Sequence, residues 1–192
     1  MDERDLIRKS QAGDLQAFER LVLARRAQVF RVARQIVGND EEAKDIAQMV
    51  FVRLWQTLPR YREGGSFGAY LHRITVNLAF DAARQRESRE WARGMDAREL
   101  EELAGTARPA ENPEPGEIQR IFAILSRRLG SRQKAAFVLR EIEGMSTQDV
   151  SEILGMSEST VRNHVHAARK VLQEGLRRFF PEYARGKDGT EE

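Results

Sequence analysis

Apolar residues fall at Leu15, Phe18, Val22, Val29, Val32, Ala33, Ile36 and Val37, spacings of three and four that draw one stripe along a single helix. Asp14 stands where an N-cap belongs, and Gly38-Asn39 ends the pattern. Asp40 caps the next helix, with Glu41 and Glu42 in its first turn, where the positive end of the dipole favours anions. That helix runs to about Leu58 and is ended by Pro59; a short helix over Asp2–Ala12 precedes both. The polar, glycine-containing stretch PRYREGGS leads to Ser66, and SFGAYLHRITVNLAFDAARQRESRE predicts another long helix. Further on, Ile118, Ile121, Phe122, Leu125 and Leu129 predict an amphipathic helix over Glu117–Leu129, and Ala136, Val138, Leu139 and Ile142 one over Ser131–Glu143. These segments are rich in helix formers and poor in strand signals.

The next two elements have the spacing of a helix-turn-helix. Ser146-Thr147-Gln148-Asp149 has the form of a capping box, in which the serine oxygen caps the helix and the acid returns the bond. The short helix from there ends at Leu154, and Gly155 sits where the chain turns sharply, because glycine tolerates a positive φ. Ser157 caps the second helix. At about 100° per residue, Val161, Val165, Ala168 and Leu172 share its buried face, while Ser159, Arg162, Asn163, His166 and Arg169 project on the other side. Those donors suit guanine and adenine edges and phosphate, and they crowd the half of the helix that enters a major groove in such motifs.

Between Gly94 and Gly116 the prolines of GTARPAENPEPGE forbid a continuous helix. The expectation is an all-α chain of two small helical domains, 1–90 and 117–182, joined by a Pro/Gly-containing linker over 91–116 and followed by a polar tail, 183–192. A short helix over Asp96–Leu103 is expected within the linker. Charge follows the same division. Residues 1–93 carry net +4, residues 94–117 carry −5, residues 118–187 carry +6 and the last five −3, so two basic modules flank an acidic connector. Basic modules call for negatively charged partners, nucleic acid first, and 27 of the 32 cations are arginine, whose planar fork fits phosphates and base edges.

Composition removes most other chemistry. With no cysteine there is no disulfide framework, thiol nucleophile or Cys-ligated zinc. Three histidines, His72, His164 and His166, give a metal or catalytic centre little to work with, and the last two lie about 200° apart on their helix. No apolar run approaches the roughly 18–20 residues that span a bilayer, and MDERDLIRKS is not a signal peptide. The expectation is a reduced, cytoplasmic protein without cofactor or metal, and not an enzyme: no Ser-His-Asp order or phosphate-binding glycine loop is present.

Three stretches together resemble a bacterial sigma factor of the extracytoplasmic-function group of the sigma-70 family. RQKAAFVLREIEGMSTQDVSEILGMSESTVRNHVHAARKVL (132–172) resembles region 4, which binds the promoter −35 element. DEEAKDIAQMVFVRLW (40–55) resembles region 2.2, which docks on the core polymerase clamp. LPRYREGGSFGAYLHRITVNLAFDAARQR (58–86) resembles regions 2.3 and 2.4, which open and read the −10 element. The resemblance implies a factor that binds core RNA polymerase and directs initiation at promoter DNA, held in check by an anti-sigma factor, often membrane-bound.

Carried over residue by residue, it assigns Ser159, Thr160, Arg162, Asn163, His166, Arg169 and Lys170 to the −35 element. Arg162, Asn163 and His166 would meet base edges, with Ser159, Arg169 and Lys170 nearer phosphate. Tyr61, Arg62, Ser66, Phe67, Tyr70, Arg73, Asn77 and Arg84 go to the −10 element, where cations and aromatic rings suit an opened strand. Asn77 and the loop from Tyr61 to Phe67 would cradle a flipped base. Asp45, Gln48, Met49 and Arg53 go to the polymerase. Met49 replaces an acid frequent in the family, and His166 and Ala167 stand where an aromatic and a basic residue are common. The acidic linker would thread the polymerase's active-site and RNA-exit path. The alternative is a stand-alone regulator binding duplex DNA, because STVRNHVHAARKVL also resembles response-regulator DNA-binding helices; residues 1–90, however, lack the alternating strands of a receiver domain.

Overall fold

The computed structural model describes residues 2–62, 66–91 and 115–184, and among these the regular structure is all helical, without strands. The expected helix over 96–103, most of the linker and residues 185–192 of the tail lie outside them. The first half consists of α1 (Glu3–Gln11), α2 (Leu15–Val37), α3 (Asp40–Thr57), a 3-10 turn (Leu58–Arg60) and α4 (Phe67–Trp91). The second consists of α5 (Pro115–Leu125), a 3-10 turn (Ser126–Arg128), α6 (Ser131–Phe137), α7 (Thr147–Leu154), α8 (Glu158–Phe179) and the short α9 (Pro181–Ala184).

Local chemistry sets the boundaries. Asp14 accepts from the Ala17 amide at 3.0 Å, and Gly38 closes α2 in the left-handed region at φ 75°. Asn39, not Asp40, caps α3: its side-chain oxygen accepts from the Glu42 amide at 3.0 Å, which places Asp40 in the first turn beside Glu41 and Glu42. Pro115 opens α5, two residues earlier than expected, where a missing amide hydrogen costs nothing. The helix expected over Ser131–Glu143 is α-helical only to Phe137; Val138–Ile142 is a π turn in which the Glu143 amide reaches back to Val138. Its apolar spacing is compatible with either winding, so the change leaves no sequence signal.

Burial explains the packing. Leu21, Val32, Ala33, Val50, Leu54, Leu58 and Val76 are fully buried where α2, α3 and α4 meet. Each large aliphatic among them contributes roughly 1.5–3 kcal/mol. Leu15, counted in the α2 stripe above, is instead 68% exposed, because α2 has not yet met its partners at its first residue. The same core continues into Ala135, Ala136, Leu139, Val150, Ile153, Leu154, Val161 and Val165 of the second half. A satellite cluster of Ile121, Leu125 and Phe180 ties α5 to the far end of α8.

The two halves also meet through charge. Arg31 on α2 grips Glu143, which follows the π turn, with two bonds of 2.9 Å, and His72 Nε2 on α4 lies 3.8 Å from the same carboxylate. Arg73 on α4 donates to the Glu152 carbonyl of α7, and Arg34 on α2 to the Gln119 side chain of α5. The buried Lys134 ammonium sits 3.6 Å from where a Cβ on Gly38 would be, against the negative end of the α2 dipole.

Candidate nucleic-acid interface and docking surface

The α7–turn–α8 unit is built by two serine caps and a glycine turn. Ser146 Oγ accepts from the Asp149 amide at 3.0 Å and meets the Asp149 carboxylate at 2.6 Å, so the acid bonds the hydroxyl. Gly155 takes φ 62°, which lets α8 leave at a sharp angle. Ser157 Oγ accepts from the Thr160 amide at 3.2 Å and touches the Ser159 and Thr160 hydroxyls at 2.9 and 2.8 Å. Val161, Val165 and Ala168 are buried, which turns Ser159, Arg162, Asn163, His166, Arg169 and Lys170 outward, all exposed. Arg162 holds Glu158 at 3.2 Å in a pair exposed on both sides, so releasing it to a base edge costs about 0–1 kcal/mol. Arg169 is engaged more closely, at 2.6 Å from Glu141. This face offers a planar bidentate donor, an amide and an imidazole beside helix-terminal amides and hydroxyls, the mixture that reads base edges and holds phosphates.

In the first half, Tyr61, Phe67 and Tyr70 form one aromatic cluster, with ring centroids 5.7 Å apart for Tyr61–Phe67 and 4.8 Å for Tyr61–Tyr70. Phe67 is buried, so its ring backs the other two, and the Tyr70 hydroxyl donates to Thr57 Oγ1 at 2.6 Å. Arg62, Ser66, Asn77 and Arg84 are exposed. Arg84 pairs with Asp81 at 3.0 Å, while Arg73 is taken up by the second half. Two residues the sequence did not single out shape this region. The Gln11 amide donates to the Leu58 and Tyr61 carbonyls at 3.1 and 2.8 Å, pinning the segment that carries Tyr61. Thr57 anchors Tyr70. Neither has a sequence signature, because both act on partners supplied by the fold.

Asp45, Gln48, Met49 and Arg53 share the exposed face of α3, where Met49 and Val52 are each about half exposed. A cleft of about 740 Å³ lies between this face and α4; Met49, Val52, Arg53, Asn77 and Arg84 line it, together with Arg132 of α6. The structure thus brings part of the polymerase set and part of the −10 set to one cleft, while the −35 set stands apart on α8. At the junction of the halves, burial pushes the Glu143 carboxyl up, but His72 and the Arg31 fork outweigh it and hold the group at about 2 against an ordinary 4.5. Among the described residues no cluster of histidine and acid is placed to hold a metal, and no helix is long and apolar enough to cross a membrane.

Comparison with known proteins matches residues 21–89 to Sigma-70 region 2 and residues 125–172 to Sigma-70, region 4. The chain is 33% identical over 174 residues to the ECF RNA polymerase sigma factor SigE of Mycolicibacterium smegmatis, covering 88% of this chain and 65% of that protein. It is 27% identical over 186 residues to the RNA polymerase sigma-H factor of Pseudomonas aeruginosa, covering 94% and 96%. Among solved structures, CnrH in complex with the cytosolic domain of CnrY aligns with a TM-score of 0.66 at 24% identity, over 91% of this chain and 96% of CnrH.

Proposed function

Because this chain belongs to the sigma-70 family, in its extracytoplasmic-function group, we propose that it binds core RNA polymerase in the cytoplasm and directs initiation at promoters it selects. It is a transcription initiation factor rather than a catalyst. The observation that carries the reading is the pairing of an exposed polar helix face on α8, suited to base edges, with a separate cleft beside α3 lined by Arg53, Asn77 and Arg84. In this reading Arg162, Asn163 and His166 meet −35 base edges, and Ser159, Thr160, Arg169 and Lys170 hold phosphate. Tyr61, Arg62, Ser66, Tyr70, Arg73, Asn77 and Arg84 hold the opened −10 strand, with Phe67 as the buried backing of that platform. Asp45, Gln48, Met49 and Arg53 dock on the polymerase, and an anti-sigma factor covers these surfaces when the signal is off. The test is whether the purified chain forms a one-to-one complex with sigma-free core polymerase and opens a promoter in vitro. Duplex binding without polymerase binding would overturn the reading in favour of a stand-alone regulator.

A further inference from the structure

We infer that Glu158, the first residue of α8, is a specificity-determining residue: its carboxylate selects a cytosine on or within two steps of the base pair that Arg162 reads, by accepting from the cytosine amine in the major groove. The inference rests on the reading of α8 as the helix that meets −35 bases, and it names a determinant which that reading left out. Two arginines of the outward face are paired to acids, and the two pairs differ. Arg162 and Arg169 stand seven residues apart, which at about 100° per residue puts them on one flank of α8. Arg169 is held at 2.6 Å by Glu141 of the π turn, whose side chain is only 25% exposed, so this pair ties α8 to a neighbouring element. Arg162 is held at 3.2 Å by Glu158 with both side chains at least half exposed, so that pair joins only two turns of α8 itself.

The first turn of α8 leaves Glu158 as its outward acceptor. Ser159 and Thr160 hold their hydroxyls back against Ser157 Oγ, at 2.9 and 2.8 Å, within the cap. A carboxylate offers about four lone-pair sites; Arg162 takes one, and the Glu158 side chain is half open to solvent. In a helix-turn-helix the N-terminal residues of the second helix are those that meet base edges. Four residues rise about 6 Å, less than two base-pair steps of about 3.4 Å, so Glu158 and Arg162 address the same pair or near neighbours. A carboxylate in the groove is repelled by phosphate and by every acceptor edge, guanine O6 and N7, adenine N7 and thymine O4. Cytosine presents only a donor there, its N4 amine. The acid therefore penalises every sequence except one that offers this amine, while its bond to Arg162 steadies the guanidinium fork beside the guanine acceptors. Glu158 discriminates by exclusion as much as by attraction. Its carboxylate also suits the positive end of the α8 dipole, but that effect is the same on every duplex and leaves base preference untouched.

The experiment uses the full chain and a library of short duplexes randomised over one helical turn, enriched by binding and sequenced. The wild type is compared with Glu158→Gln, Arg162→Ala and Glu174→Gln, the last an exposed acid further along α8 whose loss changes the net charge equally. Circular dichroism melts establish that each variant is folded. The wild type enriches a guanine that is lost with Arg162→Ala and, on or within two steps of that base pair, a cytosine that is lost with Glu158→Gln; Glu174→Gln keeps both. Replacing that cytosine by thymine in the enriched duplex weakens the wild type at least about fivefold in fluorescence anisotropy, and Glu158→Gln by less than about twofold. A cytosine preference that survives in folded Glu158→Gln, or a loss matched by Glu174→Gln, overturns the inference. So does a guanine that depends on Arg162 with no nearby position that depends on Glu158, a result that leaves the −35 reading of α8 standing. No sequence enriched by the wild type refutes α8 as the reading helix, and the inference with it.

Discussion

Acid should loosen the junction of the two halves through Glu143, and a single comparison isolates its share. The carboxyl titrates at about 2 when enclosed, against 4.5 ordinarily. A folded-state value below the unfolded one means stability that is fully present above about pH 4.5 and is lost as pH falls toward 2. The difference corresponds to about 3 kcal/mol, and because Arg31 is half exposed, solvent screening brings it nearer 2 kcal/mol. Glu143→Gln keeps the shape and mimics the protonated acid, so the decline of the stability gap between wild type and variant below about pH 4.5 should trace this titration, His72 at 3.8 Å being the other titratable group that faces the carboxylate. Urea unfolding at fixed salt, repeated from pH 7 to pH 3, is the assay. We expect a gap of about 2 kcal/mol down to about pH 4.5, then a decline of at most about 1.4 kcal/mol per pH unit. Other carboxylates titrate in the same window, but they do so in both proteins and cancel. A gap constant from pH 6 to pH 3 would refute the reasoning, because it would make Glu143 a matter of shape rather than charge.

Other outcomes follow from single sites. Gly175→Ala should destabilise by about 0–2 kcal/mol: the new methyl would lie 2.8 Å from Leu125 Cδ2, an overpacking cost of about 1–3 kcal/mol offset by about 1 kcal/mol of helix propensity. Combining it with Leu125→Ala should cost clearly less than the sum of the two in a denaturation cycle. Ser157→Ala removes the cap on α8 and should cost about 1 kcal/mol in thermal unfolding, with weaker binding to every −35 duplex. Arg162→Ala should lose about 1–3 kcal/mol of duplex affinity and relax preference at one base position; equal weakening on all sequences would make it a phosphate contact. Tyr70→Phe loses the bond to Thr57 and should cost about 1 kcal/mol of stability.

What could be read in advance was what acts over a few residues. The caps Asp14, Ser146 and Ser157 and the turn at Gly155 are each decided by a side chain and an amide three positions away, or by one backbone angle, so the alphabet records them. Asn39 against Asp40 shows the grain of such a reading: two competent caps stood side by side, and entry of the chain into the helix selected the first. The exposed polar face of α8 was legible because its opposite face is apolar at helical spacing. The Arg31–Glu143 pair was not, because the two residues are 112 positions apart and each looks like an ordinary solvated residue on its own element. Gln11 was hidden for the same reason: its partners are main-chain carbonyls, which carry no letter.

The long α8 has a mechanical consequence. Its first turns carry the reading face, and its last turns carry Gly175, Leu176 and Phe179, against which α5 is moored. At 1.5 Å per residue its 22 residues form a rod about 33 Å long. Pro115, where the linker arrives, sits at the start of α5, and Tyr183 beyond the rod bonds Glu117 at 2.8 Å. A pull on the linker is therefore delivered to the far end of the same stiff lever whose near end carries the polar face proposed to meet the bases, with no hinge between the two. Shortening or crowding the connector should tilt the reading head itself rather than merely move the domain that carries it.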